Sequence, residues 1–145
     1  MTHSTTSLGN KKSGIARYLP TIARVLLGLL FFASGIMGFF MKSPAKETMS
    51  PGMWEFFQAM IHSGYLFYLV KGTETLVGAL LLINRFVPLA LTILTPILIN
   101  IALVNYFLAP SGIIFSIILI VLELYLVRVY RSAFRPMLAS RVTPE

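Results

Sequence analysis

Apolar runs separated by short polar breaks organise this chain. Residues 1–17, MTHSTTSLGNKKSGIAR, are polar and rich in Ser, Thr and Gly, and predict a disordered basic tail. From 18 to 41 the chain is apolar; its uncharged stretch 25–40 is too long and too aromatic for a cleaved leader, and predicts a first membrane-spanning helix. After the polar hinge KSPAKETMSPG comes MWEFFQAMIHSG, with Ser50 as N-cap, Pro51 at the first helical position and Gly64 as a stop. That helix is too short to span. Its Trp54, Phe56 and Phe57 suit the headgroup region, so Trp54 and Phe57 are expected as an interfacial anchor or, less simply, a lid over a pocket.

A second span is expected over 65–83, ending in the turn Asn84–Arg85. No charged residue occurs over 86–122, which as one helix would be about 55 Å long against a hydrocarbon core of roughly 30 Å. Pro110 and Gly112 divide it, giving a third span over 86–108 and a fourth over 112–130, followed by a basic tail at 131–145. Pro96 falls inside the third span, where neighbouring helices can compensate the lost hydrogen bond. The expected fold is therefore all-α: an integral-membrane four-helix bundle over 18–130, with a short interfacial helix between spans one and two.

Composition agrees with that solvent. The 145 residues are 57% hydrophobic and 12% charged, with a mean hydropathy of +0.82, as in a small polytopic membrane protein. The net charge of +7 comes from bases beside the hydrophobic runs, which argues for anionic lipid and against nucleic acid. Lys11, Lys12, Arg17, Arg85, Arg128, Arg131, Arg135 and Arg141 fall on one side of the expected topology, and only Lys42 and Lys46 in loops on the other. Both termini are thereby expected in the cytoplasm. With no cysteine there is no thiol chemistry. His62 and the tail residue His3 are the only histidines, so neither a zinc site nor a two-histidine haem site can form within one chain.

Charges inside the spans are the candidate chemistry. Lys71, Glu74 and Gly78 share one helical stripe, and Arg24, Gly28, Phe31, Gly35 and Gly38 share another that admits close helix approach. A central charge costs roughly 2.5 to 3.5 kcal/mol, whereas each Leu, Ile, Phe or Val returns about 0.3 to 0.6. Lys71 and Glu74 thus cancel most of the second span's gain and cannot both face lipid. The depths of these residues predict an interior polar cluster of Arg24, Lys71, Glu74, Asn100 and Glu123, with Arg24 and Glu123 close enough to pair; Tyr125 and Asn105 lie off the stripes.

The segments ARVLLGLLFFASGIMGFF, KGTETLVGALLLINRFVPLAL and FLAPSGIIFSIILIVLELYL, with the tail YRSAFRPML, resemble the DoxX-like membrane proteins over about residues 16–138. The resemblance implies a four-helix bundle in a bacterial cytoplasmic membrane and an association with membrane redox or oxidative-stress assemblies. It aligns Arg24 with the family's first-helix arginine and Glu74 with its second-helix glutamate. No Ser/His/acid constellation, phosphate loop or metal-ligand spacing is present, so the chain is not expected to be an enzyme on its own. Three readings remain open. The polar cluster either fixes helix register in a purely structural membrane assembly partner, or binds the head of a quinone or another lipophile in a redox subunit, or serves a small proton- or ion-coupled transporter. The partners these readings admit are the lipid bilayer, redox-complex subunits and further copies of the chain.

Overall fold

The computed structural model describes residues 14–41 and 46–136. In chain order its helices are α1 (Gly14–Phe40), α2 (Pro51–His62), α3 (Leu66–Leu82), α4 (Val87–Leu108), α5 (Ile113–Val129) and α6 (Arg131–Phe134), with single 3-10 turns at Lys46–Thr48 and Pro110–Gly112. No strand occurs among the described residues. The all-α fold is as expected, with two adjustments at the ends. Residues 14–17 form the first turn of α1 rather than a tail, and Arg131–Phe134 add a short helix after the fourth span. Residues 1–13 and 137–145 of the expected tails, and Lys42, lie outside the described residues.

Local chemistry explains the breaks. Ser50 is extended and its hydroxyl accepts from the Met53 N–H, Pro51 occupies the first helical position, and beyond α2 the chain turns at Gly64, with φ of 80°. The turn after α3 places Asn84 and Phe86 in the left-handed region (φ 56° and 52°); asparagine adopts it with little penalty, a bulky phenylalanine less readily. Pro88 sits in the first turn of α4, where a missing N–H breaks no bond.

Helices α1 and α4, and the stretch Pro110–Val129, are each long and apolar enough to cross a membrane. The 17 residues of α3 reach only about 25 Å. α2 and α3 pass the same test together, bent by 95° at the break between them. Three stretches therefore qualify alone, and a fourth is reached when the bent pair is counted as one span. The long helices pack in a ring, α1 on α3, α3 on α4, α4 on α5 and α5 on α1. Leu27, Val77, Leu81, Ala90, Leu91, Leu94 and Leu126 fill its centre with no exposure. Large apolar side chains such as Leu29, Ile99, Ile117 and Val121 face outward, as a lipid-facing surface requires.

The closest approach is between α1 and α3. A methyl group built on Gly78 meets the Phe32 backbone, with Cα 2.7 Å away and the Gly28 carbonyl oxygen 2.8 Å away; one built on Gly35 meets the Thr75 nitrogen at 2.6 Å and the Lys71 oxygen at 2.7 Å. These neighbours are main chain and cannot swing aside. Glycine is required there because two helix backbones touch. Gly72, on the same helix, has only the Phe39 ring tip 3.9 Å away. Gly78→Ala is therefore expected to lower stability in detergent by about 1 to 3 kcal/mol through overpacking, whereas Gly72→Ala raises it by up to about 1 kcal/mol through helix propensity. Thermal melts of the two variants beside the original measure the contrast.

Candidate functional site

The α1–α3 seam decides which polar groups meet. Because Gly35 and Gly38 ride against Lys71, the neighbouring Ser34 is carried to the side chains of Lys71 and Glu74. Lys71 Nζ donates to Glu74 Oε2 at 2.8 Å and to Ser34 Oγ at 3.1 Å, and Ser34 Oγ donates to Glu74 Oε2 at 2.9 Å. Two of the three hydrogen bonds end on Glu74 Oε2, and the third runs from the Lys71 ammonium to the Ser34 hydroxyl. Lys71–Glu74 is the one ion pair among the described residues. The lysine also lies 6.0 Å from the centre of the buried Phe67 ring.

Cavities converge on this triangle. One of about 290 Å³ lies among α1, α2, α3, α4 and α5; Ser34, Lys71, Glu74, Asn100 and Asn105 are the polar residues of its wall, and Phe57 and Met60 border it from α2. A second, of about 250 Å³, adjoins Lys71 on the α1 side and is lined by Met37, Met41 and Met49. A third, of about 220 Å³, reaches Glu74 between Phe31 and Leu119. Ser34 lines all three. Both hydrogen bonds to Glu74 fall on Oε2; among the described residues no donor reaches Oε1. Since no fully buried side-chain oxygen or nitrogen lacks a partner, Oε1 keeps contact with open space. The exposed Asn100 amide likewise has no partner among the described residues. An apolar space of this size with a few convergent polar groups is the usual form of a small-molecule site.

The five residues expected in one cluster are divided among three places. Lys71 and Glu74 are joined, with Asn100 across the cavity from them. Arg24 is buried elsewhere: its Nη1 donates to the carbonyl oxygens of Leu81 (the shorter contact) and Leu82 (3.3 Å), at the C-terminal end of α3. Helix ends leave carbonyls without helical partners and carry partial negative charge, so a guanidinium satisfies them as well as a carboxylate would satisfy it. Glu123, which equal depth suggested as its partner, instead meets the hydroxyl of Thr95. Depth along a helix does not specify direction around it. Asn105, off the stripes, is buried and donates to Ser116 Oγ at 2.6 Å, tying α4 to α5.

The aromatic expectation also divides. Trp54 is half-buried, with Lys46 Nζ 4.9 Å from its ring centre. Phe57 instead turns to the bundle, edge-on to Phe67 at 6.3 Å, and lines two of the cavities. Helix α2 is pinned across the bundle end by the Ser50 hydroxyl, which donates to the Leu108 carbonyl, and by Gly52 packed on the Leu108 side chain. Ser34 and Thr95 are the functional side chains that sequence reasoning missed. Each is a single hydroxyl in an apolar run, and only the position of the facing helix reveals what it bonds.

A family model described as DoxX matches residues 19–109 of the chain. No curated protein and no solved structure matches it.

Removing one member of a buried pair leaves an uncompensated charge, at a cost of about 3 to 5 kcal/mol. Lys71→Met and Glu74→Gln are each expected to destabilise the protein more than their combination predicts, with a coupling of about 1 to 3 kcal/mol in a double-mutant cycle. Arg24→Gln and Glu123→Gln, with separate partners, are expected to add to within about 0.5 kcal/mol.

Proposed function

Because the chain belongs to the DoxX family of small membrane proteins, we propose that it is a small-molecule-binding membrane subunit of a redox or oxidative-stress system, and that its ligand is a lipophile with a hydrogen-bonding head, of which a quinone is the best-fitting class. One observation carries this reading. An ion pair stands at the meeting point of apolar cavities, with a carboxylate oxygen and an amide left for a ligand. A purely structural pair calls for close-packed surroundings and no such space. The ligand's polar head meets Glu74 and Asn100, and its apolar body lies along Phe57, Met60 and Val104.

The base distribution supports an orientation in which the Asn84–Arg85 turn and both termini are cytoplasmic, and α2 with the Pro110–Gly112 turn faces outward. The site then lies in the outer half of a bacterial cytoplasmic membrane. The chain has no reacting group of its own beyond proton exchange at a carboxylate, so electron transfer belongs to the ligand and to partner subunits.

Two measurements test the reading. The protein purified in mild detergent is expected to carry a quinone-class lipophile detectable by mass spectrometry. Asn100→Leu, which removes no hydrogen bond among the described residues, should reduce its occupancy at unchanged melting temperature. Glu74→Gln, which melts lower and is compared at a temperature where it is still folded, should reduce it by roughly tenfold or more, since one charge-assisted hydrogen bond is worth about 1.5 to 3 kcal/mol. Equal lipophile in all three samples, or none in any, counts against the site. For the orientation, a cysteine introduced at Ser111 should react with an impermeant thiol reagent from outside intact cells, and one at Asn84 should not.

A further inference from the structure

The second intramembrane glutamate does not share the arrangement of the first. Glu123 is buried on α5, 5% exposed, and its carboxyl is held by Thr95 of α4. Thr95 Oγ1 lies 2.9 Å from Glu123 Oε1 and also 2.9 Å from the carbonyl oxygen of Leu91, one turn earlier on its own helix. A hydroxyl has one proton to give and two lone pairs with which to receive. It can donate to the carbonyl or to the carboxyl, not fully to both. The count closes if the carboxyl brings its own proton: Glu123 donates to Thr95, and Thr95 donates to Leu91.

The surroundings agree. Helix α5 packs on α4, α1 and α6. Helix α4 has no charged side chain. On α1 the buried charge is Arg24, whose guanidinium is engaged by the α3 carbonyls; Arg17, near the start of that helix, is exposed. On α6 Arg131 is exposed, as are Tyr125 and Arg128 of α5 itself. Among the described residues no cation stands within ion-pairing distance of Glu123. Thr95 is exposed on the bundle surface, which in a membrane faces hydrocarbon, where an unpaired carboxylate is least tolerated. The Lys71–Ser34–Glu74 triangle lacks the competing acceptor: there the protons run from ammonium to hydroxyl to carboxylate.

From this geometry we infer that Glu123 is a proton-binding site, a neutral carboxylic acid hydrogen-bonded through Thr95 to the backbone of α4 and separate from the ligand cavities. It takes up and releases one proton, the carboxylate formed on release being held by the same threonine hydroxyl turned away from Leu91.

Infrared spectra of the full-length protein in liposomes test this directly, because only a protonated carboxyl gives the high-frequency C=O stretch. The band is expected near neutral pH in the original and in Glu74→Gln, absent in Glu123→Gln, moved to higher frequency in Thr95→Val, and reversibly lost as pH rises. Absence of the band in the original, its survival in Glu123→Gln, or its persistence until the protein unfolds would overturn the assignment. Folding supplies a second readout. Glutamine keeps a donor toward Thr95, so Glu123→Gln should melt as the original does, whereas Glu123→Leu should melt lower. A Glu123→Gln variant that melts far below the original would mean that a carboxylate is required, against the proposal. The ligand-binding reading stands or falls on Glu74→Gln, and this one on Glu123→Gln.

Discussion

Two helix backbones in contact along a line of glycines govern everything else in this molecule. At Gly35 and Gly78 there is no space for a side chain between α1 and α3, at Gly28 there is little, and hydrogen-bonding groups of the two helices come within range of each other. Ser34 reaches Glu74, and Arg24 reaches the last carbonyls of α3. In hydrocarbon there is no water to substitute for a missed partner, so the two charges of α3 pair with each other and the seam adds the Ser34 hydroxyl to the pair. A wider α1–α3 spacing would loosen the packing, take Ser34 away from the Lys71–Glu74 pair and leave Arg24 without its carbonyl partners.

The same bundle holds two carboxyl groups in opposite hydrogen-bonding situations. Around Glu74 both hydrogen-bonding neighbours are donors, one of them the Lys71 ammonium. Around Glu123 the neighbour is a hydroxyl with another acceptor to serve, and a neutral acid is the form that satisfies it. Both rest on α4 and α5 as much as on the seam, since Asn100 and Thr95 lie little more than one turn apart along α4.

Much of the fold is legible in the sequence because a membrane simplifies the code. Apolar runs, the Pro110–Gly112 break, the Ser50–Pro51 helix start and the Gly64 stop all speak through chain-local physics. The stripe of Arg24, Gly28, Phe31, Gly35 and Gly38 is buried as its spacing predicts. What the sequence leaves unspecified is the rotation of one helix against another. Arg24 and Glu123 share a depth and have different partners, and Phe57, which an interfacial pattern would send to the headgroups, packs on Phe67. Hydroxyls are the hardest to read. Thr92 and Thr95 occupy adjacent turns of α4 and each back-bonds to its own helix, yet only Thr95 faces a carboxylate.

The shortness of α3 explains where the cavities lie. At about 25 Å it falls short of a hydrocarbon core of roughly 30 Å, while its neighbour α1 runs for 27 residues. The difference leaves a recess at the end where α3 begins, bounded by α1, α4 and α5. An exposed recess with Lys71 in its wall would admit lipid tails against a charge. Helix α2 prevents this by turning 95° and lying across the opening, tied to α4 at Ser50 and Gly52 and to α3 through Phe57 and Phe67. A full-length second span would have filled the recess with side chains. The broken one leaves an apolar space beside an ion pair, bordered on one side by a twelve-residue helix.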